Sequence, residues 1–184
     1  IEQKHKKQPY MSKSNVNIGK LGETAVELEL IKLGYDVVNI NSTHSNYKNI
    51  DLICINPVNG KSVTIQVKSG TTNNILTGIV SDSNGNIPNL EDRVVCPWVF
   101  VKVDKKTFQT EFYILSKEEA FQLIESSNRW YVTEWKRQLN NKPVVGIEVD
   151  WLKGESKIAT DKYSNFDNPL EGSSYDKWEK ITKL

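Results

Sequence analysis

Ile50-Asp51-Leu52-Ile53-Cys54-Ile55-Asn56-Pro57-Val58-Asn59-Gly60-Lys61-Ser62-Val63-Thr64-Ile65-Gln66-Val67-Lys68-Ser69-Gly70 decides the fold. Ile50 to Ile55 and Ser62 to Lys68 are rich in β-branched residues, and the Asn-Pro-Val-Asn-Gly run between them is strong turn chemistry, so the stretch reads as two strands of a hairpin. Strand side chains alternate, which puts Val63, Ile65 and Val67 on one face and Thr64, Gln66 and Lys68 on the other. Gln66 and Lys68 then point the same way, about 7 Å apart along the strand. Asp51 sits near the open end of the hairpin, where it can face them. An acid, an amide oxygen and an ammonium group on one patch suggest metal-assisted phosphodiester chemistry.

The surroundings predict a mixed central sheet flanked by helices, an α/β fold. Residues 17–33 carry a helical apolar stripe: Ile18, Leu21, Ala25 and Leu28, widened by Val26, Leu30 and Leu33, with Asn17 as N-cap and Gly34 as stop. Glu23 lies in its second turn, beside Gly22, which would let another backbone come close. Strands are expected at 35–40, 50–56, 62–68, 97–103 and 109–115, and a second helix over 116–139 opened by a Ser116…Glu119 capping box. Residues 69–95 are dominated by Asn, Thr, Gly and Ser apart from Ile75 to Val80, and read as a long insertion with few apolar groups to bury. Val144 to Trp151 reads as a strand. The aromatic and basic run Arg129 to Arg137 fits either amphipathic packing or stacking on an exposed base.

The helix Glu23, strand Asp51 and strand Gln66-Val67-Lys68, in that order, resemble the PD-(D/E)xK nuclease superfamily in the variant where Gln replaces the second acid. Gly19-Lys20-Leu21-Gly22-Glu23 is similar to the helix start of resolvase-like members, and the resemblance covers residues 17–70, more loosely to 115. It implies a restriction-endonuclease-like core and a metal-dependent endodeoxyribonuclease. It further implies Mg²⁺, with Mn²⁺ as substitute, held by Asp51, the Gln66 side-chain oxygen and the Val67 carbonyl, and by Glu23 through a water. Lys68 would orient or deprotonate the attacking water. The polar loop after the first strand resembles the one that touches DNA in those members, making Ser42, His44, Ser45 and Lys48 candidate phosphate contacts, with Ser69 beside them; His44 is also a candidate general base. The competing reading is an inactive nuclease-fold module that binds DNA or a protein partner, and a third is the toxin domain of a secreted system.

At 184 residues the chain suits one domain with a sizeable core. The expected division is a tag remnant or disordered arm over 1–16, the nuclease-like domain over 17–152, and a tail over 153–184 pinned by Tyr163, Phe166, Tyr175 and Trp178. The net charge of +1 gives no global basic field, so DNA binding would rest on local patches. Cys54 and Cys96 lie in apolar, strand-like surroundings and read as buried thiols, which fits a cytoplasmic location. No apolar run is long enough to span a membrane. One site per chain suggests a homodimer for cutting both strands.

Overall fold

The computed structural model describes residues 18–42, 49–134, 142–156 and 166–183, with only the backbone of Ser42. Helix α1 (Ile18–Lys32) leads into strand β1 (Asp36–Asn39) and a single 3₁₀ turn, Ile40–Ser42. Gly34, at φ 89°, closes α1, and the Tyr35 amide reaches back to the Leu30 carbonyl at 3.1 Å. The hairpin follows as β2 (Leu52–Ile55) and β3 (Ser62–Gly70), then β4 (Asn74–Val80), β5 (Trp98–Val103), β6 (Thr110–Leu115), α2 (Lys117–Thr133), β7 (Val144–Glu148) and the short turns α3 (Val149–Leu152) and α4 (Glu179–Thr182).

Five strands form one sheet in the order β1-β2-β3-β5-β6. Its neighbours run antiparallel except β3 and β5, which are parallel, with Gln66 opposite Trp98 and Lys68 opposite Phe100. The sheet is therefore mixed, with helices on both faces, as the sequence predicts. Alternation along β3, β5 and β6 splits the apolar residues between two cores. On one face Ile65, Val67, Val99, Val101 and Ile114 pack with Val26 and Leu30 of α1 and with Trp178 and Ile181 near the C-terminus. On the other, Trp98, Phe100, Tyr113 and Leu115 pack with α2, the β4–β7 pair, Trp151 and Phe166. Among the described residues no helix is long and apolar enough to cross a membrane.

Three expectations need correction, and one open alternative is decided in part. The buried line of α1 is Gly22, Val26 and Leu30, an i, i+4 row, whereas Leu28 and Leu33 remain half exposed. Residues 69–95 are not a polar excursion. A parallel β3–β5 pair needs a long crossover, and residues 71–97 are that connection. They bury Ile75, Ile79, Leu90 and Val94 in the core. The strand expected to reach Trp151 stops at Glu148, where its partner β4 begins at Asn74; the Val149 amide bonds to Asn73, and a helical turn then buries Trp151 and Leu152. Finally, Trp130 and Tyr131 are buried against Trp151, so in these two the aromatic run of α2 packs the core. The rest of that run from Trp135 onward, the distal end of the helix expected to reach 139, and Tyr163 lie outside the described residues.

Candidate functional site

Asp51 stands at the fork where β2 leaves β3. Its amide still joins the ladder, donating to the Ile65 carbonyl at 2.8 Å, and its carbonyl accepts from the Ile40 amide at 3.0 Å. Two residues beyond the last β2–β3 pair, the Val67 amide has lost its strand partner on this side, and the Asp51 carboxylate takes that place through Oδ2 at 2.7 Å. The same oxygen accepts from Gln66 Nε2. Oδ1 accepts from Asn41 Nδ2 at 2.8 Å. Both Asp51 and Gln66 are buried.

Glu23 enters from α1. The same Asn41 Nδ2 donates to its Oε1 at 3.3 Å, so one amide bridges the two carboxylates. Burial raises the Glu23 pKa, and the charge of Asp51 adds to the effect; Lys20, Asn41 and Asn39 oppose it. Lys68 follows Gln66 on the same face of β3 and holds its ammonium 5.4 Å from the centre of the Trp98 ring. Burial lowers its pKa against the pull of Asp51, Glu23 and Cys96. Glu23, Asp51, Gln66 and Lys68 thus share one electrostatic neighbourhood at the end of the fork.

The other predicted residues divide. Val67 is buried, and its carbonyl accepts from Gln66 Nε2 at 3.4 Å. Ser69 turns away from the patch: its hydroxyl is buried without a hydrogen-bond partner, beneath Gly22. A Cβ on Gly22 would lie 1.7 Å from Ser69 Oγ, so what Gly22 admits is a side chain rather than a backbone. Ser42 belongs to the 3₁₀ turn by its backbone, and His44, Ser45 and Lys48 lie outside the described residues.

Sequence reasoning missed Asn41 and Trp98. An Asn in the turn after a strand, ten positions before Asp51, is a weak signal, and the Trp98 contact depends on the parallel register, which no local pattern reveals. Cys54 and Cys96 are buried free thiols, as predicted. Burial pushes the Cys96 pKa up to about 11. Its thiol faces the Asn49 carbonyl at 3.6 Å, tying the turn before Asp51 to the irregular segment before Trp98. Among the described residues no group of three or more His, Cys, Asp or Glu is placed to hold a metal ion.

No family model matches the chain, and no curated protein matches it. Among solved structures, that of a bacterial homing endonuclease is similar over 59% of this chain and 73% of that one, at 18% identity and a TM-score of 0.40.

Proposed function

We propose that the chain is a metal-dependent endodeoxyribonuclease of the PD-(D/E)xK type, with a restriction-endonuclease-like core in the Gln variant. The observation that carries this reading is the joining of Glu23 and Asp51 through one Asn41 amide, with Gln66 and Lys68 on the same patch. Burial and then the neighbouring Asp51 charge raise the proton affinity of Glu23, and a hard cation would relieve the repulsion between the two carboxylates. The donor set fits Mg²⁺, with Mn²⁺ as substitute: Asp51 and the Val67 carbonyl, Gln66 after its amide turns oxygen inward, and Glu23 through water. When bound, the ion would stabilise charge developing on the phosphate and lower the pKa of the attacking water.

The protein's own groups do the rest. Asp51 is pre-set by the Val67 amide and Asn41, so its position costs no reordering. Lys68 sits in a poorly solvated place on the indole face, where its proton is held less firmly than in water. It is suited to orient a nucleophilic water and to exchange a proton with it. Glu23, with its raised proton affinity, can take up a proton from a neighbouring water.

One observation favours a second reading, an inactive module that binds DNA or a protein. Gln66 presents its nitrogen to Asp51, and with the Val67 amide and Asn41 the carboxylate is satisfied by protein donors. Calorimetric titration with Mg²⁺ and Mn²⁺ separates the two readings. On the catalytic reading wild type binds the ion, Gln66→Glu binds it more tightly, and Gln66→Ala and, more severely, Asp51→Asn lose it. Lys68→Ala keeps the ion and loses cleavage by a factor on the order of 10² or more. Negligible binding by both wild type and Gln66→Glu would establish the inactive module.

A further inference from the structure

A groove of about 670 Å³ opens beside the fork, lined by Asn49, Ser81, Asn89, Arg93 and Lys142 together with Asp82 and Asp92. Through Asn49 it neighbours the site already described. Asn49 lies two residues before Asp51; its Nδ2 donates to the Asp92 carbonyl at 3.1 Å, and its own carbonyl faces the Cys96 thiol. From Asp92 and Arg93 in its lining the chain runs on through Cys96 to Trp98, which stands opposite Gln66.

The groove is also where the backbone is least relaxed. Of the five non-glycine residues with positive φ among those described, Asn49 (68°), Asn89 (52°) and Lys142 (47°) all line it. Such conformations persist where the surrounding structure holds them, often at ligand sites. Among the described residues neither Arg93 nor Lys142 forms an ion pair. One of the two acids is already engaged: Asp82 Oδ1 accepts from the amides of Asn84 at 2.8 Å and Asn86 at 2.9 Å. Two cations without ion-pair partners and three short polar side chains, two of them amides, make a lining suited to a phosphodiester backbone.

We propose that this groove receives the DNA strand flanking the scissile phosphate, with Arg93 and Lys142 as phosphate contacts and Asp92 as a charge that limits affinity. The proposal rests on the nuclease reading for the position of the scissile phosphate, but binding can be measured without cleavage. The test uses the full chain and a short fluorescein-labelled DNA duplex, with EDTA present, followed by anisotropy over a range of salt concentrations. Arg93→Ala and Lys142→Ala should each weaken binding several-fold and reduce the slope of log affinity against log salt by about one, the mark of a lost phosphate contact. Arg93→Lys should recover much of the slope, and Asp92→Asn should bind more tightly than wild type. A purely structural role would move neither the slope nor the sign of the Asp92 effect. Unchanged affinity and slope in Arg93→Ala and Lys142→Ala, with unchanged circular dichroism, would overturn the groove. So would failure of wild type to bind the duplex. If binding depends on the groove but no Mg²⁺ or Mn²⁺ condition gives cleavage, the catalytic reading falls and the groove stands.

Discussion

Glu23 and Lys68 are held in protonation equilibria that work against the fold. Burial, then Asp51, raises the Glu23 pKa above the ordinary 4.5, so between those two values the folded chain binds more protons than the unfolded one. Stability contributed by this group is thus lost as pH rises through that window, and above the raised value its penalty is present in full. Glu23→Gln should raise the melting temperature at pH 7 in EDTA, and the gain should vanish as pH falls below about 4.5; a gain that is the same at all pH values would contradict this origin. For Lys68 the sign is opposite: burial lowers its pKa, so the penalty is present below that lowered value and disappears as pH climbs to 10.5. Lys68→Met should therefore melt higher than wild type at neutral pH while losing activity. The alternation of β3 made Gln66 and Lys68 legible as partners, and the turn before β2 made Asp51 legible as the third. Asn41 was not, because its role comes from a 3₁₀ turn that swings one amide between two carboxylates from different elements. Nor does the sequence say which end of the Gln66 amide faces Asp51.

The helix α1 meets the sheet at Gly22 over Ser69, and the two demands on that position conflict. Replacing a mid-helix Gly by Ala favours the helix by about 1 kcal/mol. The new methyl would stand 1.7 Å from Ser69 Oγ and 2.8 Å from Ser69 Cβ, and such overpacking costs roughly 1–3 kcal/mol or more. Packing should win: Gly22→Ala is expected to lower stability in urea, and adding Ser69→Gly should restore part of the loss. A more stable Gly22→Ala chain would show that α1 shifts freely on the sheet. Most elements were readable from period and capping, including α2, whose Ser116–Glu119 box is formed in both directions. The crossover was not. Its residues are polar on average, and only the β3–β5 pairing distinguishes a buried connection from a loose insertion.

At the scale of the molecule, one sheet carries two cores, and residues 166–183 contribute to both. Phe166 and Leu170 join the core on the α2 face, Trp178 and Ile181 the core beneath α1. Lys180 binds both oxygens of Glu119, at 2.7 and 2.8 Å, fastening the chain's end to the start of α2. Because β5 and β6 are shared, the two cores should unfold together. Trp98, Trp130 and Trp151 belong to one core and Trp178 to the other, so tryptophan fluorescence of Trp178→Phe and of wild type should give the same urea midpoint as circular dichroism, after allowing for the substitution. Separate midpoints would mean two folding units. Trp178→Ala should cost about 3–5 kcal/mol by emptying the edge of its core.

The parallel register of β3 and β5 also sets a timetable. Synthesis delivers α1 and the β2–β3 hairpin first, and these hold Glu23, Asp51, Gln66 and Lys68. The indole floor under Lys68 and the Pro97 carbonyl that accepts from the Gln66 backbone N–H at 3.1 Å arrive only with β5, after the whole crossover has been made. Closing that loop is the slow step in such topologies. A nascent chain therefore carries all four side chains of the proposed site well before it has the surface that desolvates the lysine, and that surface comes only when the second half of the protein has left the ribosome and docked.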